Sequence, residues 1–261
     1  MRFLKVLVLT VFTLFSVFQM NLNAEEDKVS GSASVDIMSN YVWRGQKLSD
    51  EVAYQPSLDL SYKGFGMNIW MNYDDKTKEE SETDLTLSYS YSYKFIGLEV
   101  GYIHYSLDGV EDTQEVYGGV SLDVPLNPSV TYYYDYDVGD GGYLLLAIGE
   151  SFSVNKMLGK INMDPTSTIK REITLNLGAS AGINLDNEVL GSDSNGKKFT
   201  DFYDGNINAS LDIPIIDKIS VSPMIAYSFA LSNDAETAIE AVSFDNDEEV
   251  LYGGIGFSFS F

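Results

Sequence analysis

The chain has 261 residues, with 39 acidic side chains against 16 basic ones and a formal charge of −23. An acidic balance of this size excludes a nucleic-acid partner, which needs a basic footprint, and the absence of Cys with a single His excludes disulfides, thiolate metal sites and His-rich metal centres. Aromatic residues at 13%, including 18 Tyr, together with 22 Gly, set the chain apart from a disordered acidic polymer and suit a β protein that carries its acid in loops.

Residues 1–24 read as a secretory signal. Arg2 and Lys5 form the positive start, Val6 to Phe18 is a largely apolar run, and Asn21 to Ala24 is the expected cleavage region. The run is too short for an anchor helix. Removing it takes away two positive charges and no negative ones, which moves the charge from −23 to −25. No later segment carries 18 or more apolar residues, so the remainder, residues 25–261, is either soluble or a β-barrel.

From there the dominant signal is alternation with period two, which puts one residue set on each face of a strand. Twelve segments show it: 31–44, 52–62, 65–73, 83–94, 97–107, 114–124, 128–138, 142–153, 171–184, 204–213, 218–230 and 249–261. In 83–93, Leu85, Leu87, Tyr89, Tyr91 and Tyr93 share one face, and Thr86, Ser88, Ser90 and Ser92 share the other. In 97–107 and 142–153 both faces carry apolar residues, and Glu99, His104 and Glu150 fit poorly; a bulge or a surface facing a plug accounts for such a segment.

Connections alternate short and long. The short ones are Lys63–Gly64, residues 94–96, 125–127 and 214–217; the long ones, acidic or Gly-rich, are 74–82, 108–113, 139–141, 185–203 and 232–248. Residues 154–170 break the rule, being long where a short turn is due. A soluble sandwich would show the same alternation with its apolar face inward. Strands of about ten residues, a polar face of small uncharged residues, and aromatics at segment ends (Tyr41, Trp43, Tyr54, Tyr62, Phe65, Tyr73, Tyr93) favour the membrane alternative. The fold expected is an all-β, antiparallel transmembrane β-barrel of about 12 strands, with both termini on the periplasmic side and outer-membrane lipid around it.

The last segment ends in Gly256, Phe257, Phe259 and Phe261. It resembles the C-terminal recognition strand of bacterial outer-membrane proteins, which the barrel-assembly machinery reads; Gly254 stands where that pattern has a polar residue. Near the start, Ser39–Asn40–Tyr41–Val42–Trp43–Arg44–Gly45 resembles the opening signature of the TorF family of porins, the Gcw_chp group of outer-membrane proteins. Residues 55–62 and 64–70 resemble the Pro-containing second strand and Gly-aromatic third strand of that family. The match is strongest over residues 35–75 and at the C-terminus, and it implies an outer-membrane barrel.

If the apolar faces meet lipid, the candidate pore-lining residues are Asp36, Asn40, Arg44, Asp59, Asp123, Asp135, Asp137 and Asp212. Carboxylates along a pore raise the local concentration of cations. The expected function is passive diffusion of small solutes or ions, with cations favoured. Arg44 is the only Arg between the signal and Arg171, and it suits either a constriction or a structural clamp. The acidic stretches 74–84 and 245–249 suit weak Ca²⁺ or Mg²⁺ contacts, but a solvated face is the ordinary reading; Asp193–Gly196 fails as an EF-hand loop because Gly191 and Phe202 hold its first and last ligand positions. No metal and no cofactor is expected. Any hydrolase mechanism would have to pass through His104, with Ser106 on the same strand face, so an enzyme is not expected. A non-conducting structural or adhesion barrel is the other alternative.

Overall fold

A computed structural model describes residues 29–157 and 172–261. The predicted signal, residues 1–24, and most of the irregular connection 154–170 lie outside the described residues. Among the described residues fourteen strands form. After Ser30–Met38 (β1), Val42–Trp43 (β2) and Gln46–Lys47 (β3) come Ala53–Tyr62 (β4), Phe65–Asp74 (β5), Glu79–Tyr93 (β6), Ile96–Leu107 (β7) and Thr113–Leu122 (β8). Ser129–Asp135 (β9), Gly141–Ser153 (β10), Thr174–Leu185 (β11), Thr200–Ile216 (β12), Ile219–Ala230 (β13) and Glu249–Ser260 (β14) complete the set. Two helices, Val154–Met157 (α1) and Asn233–Val242 (α2), join them.

β1 and β4 to β14 form a closed barrel of twelve strands in which every strand pairs antiparallel with its neighbours in the chain. β1 closes it against β14, with Ser32 opposite Ser260 and Val35 opposite Phe257. Closure leaves no strand edge unpaired, so every backbone ladder is satisfied internally, as crossing a bilayer requires. The period-two alternation becomes an inside and an outside. On β6, Leu87, Tyr89, Tyr91 and Tyr93 are exposed on the outer surface, as are Val100, Ile148, Ile207, Ile225 and Leu251 on other strands. Serines, asparagines and acids alternate with them and face the lumen. An apolar exterior around a polar interior is the arrangement for lipid, and in water it would aggregate.

One end of the barrel carries tight turns. Lys63–Gly64 and Lys94 take positive φ there (50°, 88° and 54°), and both the β1 start and Phe261 lie at the same end, bonded through Gly31 and Phe261. The opposite end carries the longer connections. Tyr62, Phe65 and Tyr93 stand exposed at the turn end, in the position of an aromatic girdle.

The structure departs from the sequence expectation in three places. The segment 31–44 is not one strand: β1 stops at Met38, and residues 39–49 fold inwards as a hairpin made of β2 and β3. Arg44 and Gly45, with φ of 44° and 82°, are the two central residues of its turn, the left-handed pair that a two-residue hairpin requires. Tyr41 and Trp43 therefore face the barrel interior and not a membrane interface. Strands β6 and β12 run longer than their segments, starting at Glu79 and Thr200, because cross-strand pairing carries the ladder into stretches whose acids read as loop. The acidic connection after β13 holds α2, capped by Ser232, whose Oγ accepts from Ala235 N. For β7 and β10, of the two alternatives the surface facing a plug holds and the bulge does not, since their ladders run without a register shift. Their mixed faces arise because Tyr105, Tyr143 and Leu145 turn inwards against the hairpin and its neighbours.

The core is inside the barrel, at the loop end. Met38, Tyr41, Val42, Ala53, Trp70, Ala226, Val250 and Tyr252 form one buried cluster. Tyr143, Leu190, Phe199, Tyr203, Ala235, Ala238 and Ile239 form the second, and Trp43 packs against both. The hairpin is thus the bridge between two apolar patches that the wall alone would leave apart.

Candidate functional site

The hairpin is held at its base by short bonds. Tyr41 N donates to Ser49 Oγ at 2.6 Å, Leu48 N to Tyr41 O at 2.8 Å, and Asn40 Nδ2 to Ser49 O at 3.3 Å. Its second strand is tied to the loops above it: Gln46 Nε2 donates to Val189 O at 3.1 Å and to Tyr203 Oη at 3.0 Å, while Tyr203 donates to Leu190 O at 2.7 Å. Phe244 N donates to Lys47 O at 2.8 Å. The tip has little room, since a Cβ on Gly45 would stand 2.9 Å from Asp204 Cβ and 3.1 Å from Ile239 Cδ1.

Arg44 leaves this tip and crosses to the wall. Its two terminal nitrogens donate to Glu115 Oε1 and Oε2, each at 2.7 Å. The side chains are 8% and 1% exposed. Three rings surround the guanidinium, with centroids at 4.5 Å (Trp43), 4.9 Å (Tyr133) and 4.3 Å (Tyr143), a cation–π cage in a desolvated place. Tyr105 Oη donates to Glu115 Oε2 at 2.9 Å. Burial works against the charge of Arg44, but Glu115 outweighs it and raises the guanidinium further above its ordinary value. The pair is a bidentate, charge-assisted clamp between hairpin and wall.

Other acids at this level are also satisfied from within. Tyr143 Oη donates to Asp204 Oδ1 at 2.7 Å, and Gly182 leaves the space for it, because a Cβ there would stand 2.3 Å from both atoms. Thr113 Oγ1 donates to Asp135 at 2.7 Å, and Asp137 N to Asp135 Oδ1 at 2.9 Å. Below, towards the turn end, the lumen is a vestibule lined by half-buried Ser, Asn and Gly with Asp36, Asp59 and Glu99 among them. Asp59 accepts from Asn68 Nδ2 at 2.9 Å and Ser57 Oγ at 3.2 Å. Glu99 accepts from Tyr117 Oη at 2.8 Å and Ser90 Oγ at 2.9 Å.

The eight sequence-selected residues therefore separate into four groups. Asp36, Asp59 and, at the exposed rim, Asp212 face the vestibule from barrel strands. Asn40 and Arg44 belong to the inserted hairpin and not to a wall strand. Asp135 faces inwards but is fully buried, held by Thr113 and the β9–β10 loop. Asp123 lies exposed in the β8–β9 turn and Asp137 exposed in the β9–β10 loop, because both ladders end before them. Gly256, Phe257 and Phe259 sit on β14, with Phe257, Phe259 and Phe261 on the outer face. Sequence reasoning missed Glu82, Asp84, Glu99, Glu115 and Asp204 as lumen acids. Their parity with neighbouring inward Thr, Ser and Tyr residues is the signal that identifies them. His104 points outwards, its Nε2 3.8 Å from Asp112 Oδ2.

No Lys or Arg occurs in any of the twelve barrel strands. The inserted hairpin carries two basic side chains, Arg44, which Glu115 neutralises, and Lys47, which pairs with Asp245.

The fold is that of outer-membrane porins. The chain is similar to the NanC porin at 15% identity and a TM-score of 0.50, over 88% of this chain and all of that one. It is similar to the KdgM porin, solved in complex with disordered oligogalacturonate, at 12% identity and a TM-score of 0.50, over 89% and 99% of the two chains. An outer-membrane channel from Pseudomonas putida F1 matches at 10% identity and a TM-score of 0.50, over 89% and 95%. No protein-family model matches the chain, and no curated protein matches it in sequence.

Proposed function

We propose that this protein is an outer-membrane, porin-like channel for small solutes that favours cations over anions. One observation carries the reading: the twelve strands hold no basic residue, while Asp36, Asp59, Glu99 and Asp212 stand in or at the mouth of the vestibule. Carboxylates on a low-dielectric wall raise the local cation concentration and repel anions. The KdgM porin was solved with an anionic oligosaccharide; a lumen of the charge found here disfavours such a ligand.

The turn end is assigned to the periplasm, as in barrels with short periplasmic turns and longer outer loops. Export through a cleaved signal at residues 1–24 and assembly through the β14 residues Gly256, Phe257, Phe259 and Phe261 complete this reading. The resemblance to the TorF family supports it, and its signature residues 39–45 are those that build the inserted hairpin. Diffusion, not hydrolysis, is assigned, because His104 faces out of the barrel, away from the lumen.

The test is planar-bilayer recording on the refolded full chain in a salt gradient. A reversal potential of cation-selective sign supports the proposal. An anion-selective sign overturns the preference, and the absence of channel steps favours a sealed barrel, in which the hairpin fills the loop end completely.

A further inference from the structure

Three neighbouring side chains on the inner wall each carry a buried oxygen with no hydrogen-bond donor: Asn68 Oδ1, Asp84 Oδ1 and Thr86 Oγ1. The β5–β6 register sets Asn68 directly opposite Thr86, and Trp70 opposite Asp84. Asp84 and Thr86 are two residues apart on β6, on its inward face. Directly opposed and next-but-one side chains on one face are within mutual reach. Asn68 is 8% exposed and Asp84 6%. The orientation of the Asn68 amide is fixed, because its nitrogen donates to Ser57 Oγ at 3.0 Å and Asp59 Oδ1 at 2.9 Å. A carboxylate oxygen accepts only, so the amide cannot turn over, and Oδ1 is the atom left free.

The charge at this place is also unbalanced. Glu82, two residues before Asp84 on the same face, is 6% exposed and lies against the Tyr41 hydroxyl. Both basic side chains of the inserted hairpin are engaged elsewhere, Arg44 by Glu115 and Lys47 by Asp245. Two buried carboxylates with no cation are strongly disfavoured. What the place lacks, in charge and in hydrogen-bonding sense alike, is a positive centre that accepts oxygen ligands.

We propose that Asp84, Glu82, Asn68 and Thr86 hold a divalent cation of the calcium type on the lumen wall. The donor set is all oxygen and hard, two carboxylates balance a charge of +2, and vestibule water completes the coordination. The site abuts Tyr41 at the hairpin base, whose ring packs on Trp70 at 5.2 Å. The bound ion therefore ties the hairpin to β5 and β6 on the wall. The proposal does not depend on conductance and holds for an open or a sealed barrel.

The test uses the refolded full chain in detergent, stripped with chelator and then titrated with Ca²⁺ or with Tb³⁺ as a luminescent probe. Trp70, opposite Asp84, is the energy donor. Expected are saturable Tb³⁺ luminescence excited through Trp, its displacement by Ca²⁺, and a Ca²⁺-dependent rise in Tm. Asp84→Asn and Thr86→Val should each weaken Ca²⁺ binding at least about tenfold, the lower end of the range found when parts of a metal site are removed. Asp247→Asn, in an outer loop, should leave it unchanged. Should Asp84→Asn fail to fold, Thr86→Val, which keeps the volume and removes one oxygen, decides alone. No Ca²⁺ dependence, or one that Thr86→Val leaves intact, overturns the proposal.

Discussion

Arg44 and Glu115, 71 residues apart in the chain, meet through two bonds of 2.7 Å inside the barrel, with Arg44 on the tip of an inserted hairpin and Glu115 on a wall strand. Two charges removed from water do not by themselves stabilise a fold. Their cost is offset here because both carboxylate oxygens accept from the guanidinium, Tyr105 donates a third bond to Glu115, and the guanidinium is stacked among three rings. The consequence is asymmetric: removing one partner is far worse than removing both.

Arg44→Ala and Glu115→Gln should each destabilise the barrel by about 3–5 kcal/mol, because each leaves a buried charge uncompensated. Arg44→Lys should recover only part, since an ammonium cannot bond both carboxylate oxygens in a fork. The double variant Arg44→Met with Glu115→Leu should lie much closer to wild type than the sum of the single changes. Thermal unfolding in detergent, as a double-mutant cycle, measures this. Additive losses would mean that the two residues are not coupled.

Gly45→Ala should cost about 1–3 kcal/mol, the range for a side chain in a left-handed backbone position. The contacts of the new Cβ with Asp204 and Ile239 place it at the upper end. Gly196, also at positive φ but with open space around it, is the control: its Ala variant meets only the backbone penalty. Equal losses at the two positions would show that the hairpin tip is looser than its geometry implies.

Asp36→Asn together with Asp59→Asn should reduce cation preference with little change in the permeation rate of small neutral solutes, read by liposome swelling. Both acids face the vestibule, and the substitution removes charge while keeping size. Reversal potentials before and after substitution check it. A preference unchanged by the pair would shift the selectivity to Glu99 or Asp212.

The ion pair of Lys47 with Asp245 joins the hairpin to the segment after α2. The bond to Lys47 holds the Asp245 carboxyl below its ordinary value of 3.8. A depressed carboxylate contributes stability that is present above that ordinary value and lost as pH falls through the folded one. Unfolding followed from pH 6 down to pH 2 should therefore show an Asp245-dependent loss confined to the acid side of about pH 4. With 37% of the Asp245 side chain exposed, the effect is well under about 1 kcal/mol and should fade in high salt. An Asp245→Asn variant with the same acid profile as wild type would refute the assignment.

Much of the fold was legible because period two is a local property. Leu85 to Tyr93 shows its two faces without reference to any other strand, and the same holds for Ile173 to Asn184. The strand number, the barrel and the outward Phe257, Phe259 and Phe261 followed from such runs. The vestibule acids Asp36, Asp59 and Asp212 were legible for the same reason. Legibility failed where pairing overrode composition. Glu82 and Asp84 sit in an acidic stretch that reads as loop, and only the ladder with β5 and β7 makes them strand residues with inward side chains. Asn40 and Arg44 continue the alternation of β1, yet the chain turns inwards after Met38.

The sequence by itself determined the twelve-strand alternation, because a strand's faces are set by its own residues; the strand ends that leave Arg44, Lys94 and Lys218 outside the barrel strands are a product of the pairing. Only the tertiary structure decided what fills the lumen. Closure of the barrel brings Gln46 to Val189 across 143 residues and Arg44 to Glu115 across 71, and no local pattern encodes contacts at that separation. The same closure turned a dispersed acidic composition into a buried clamp, an acidic vestibule and a wall site with three unpartnered oxygens.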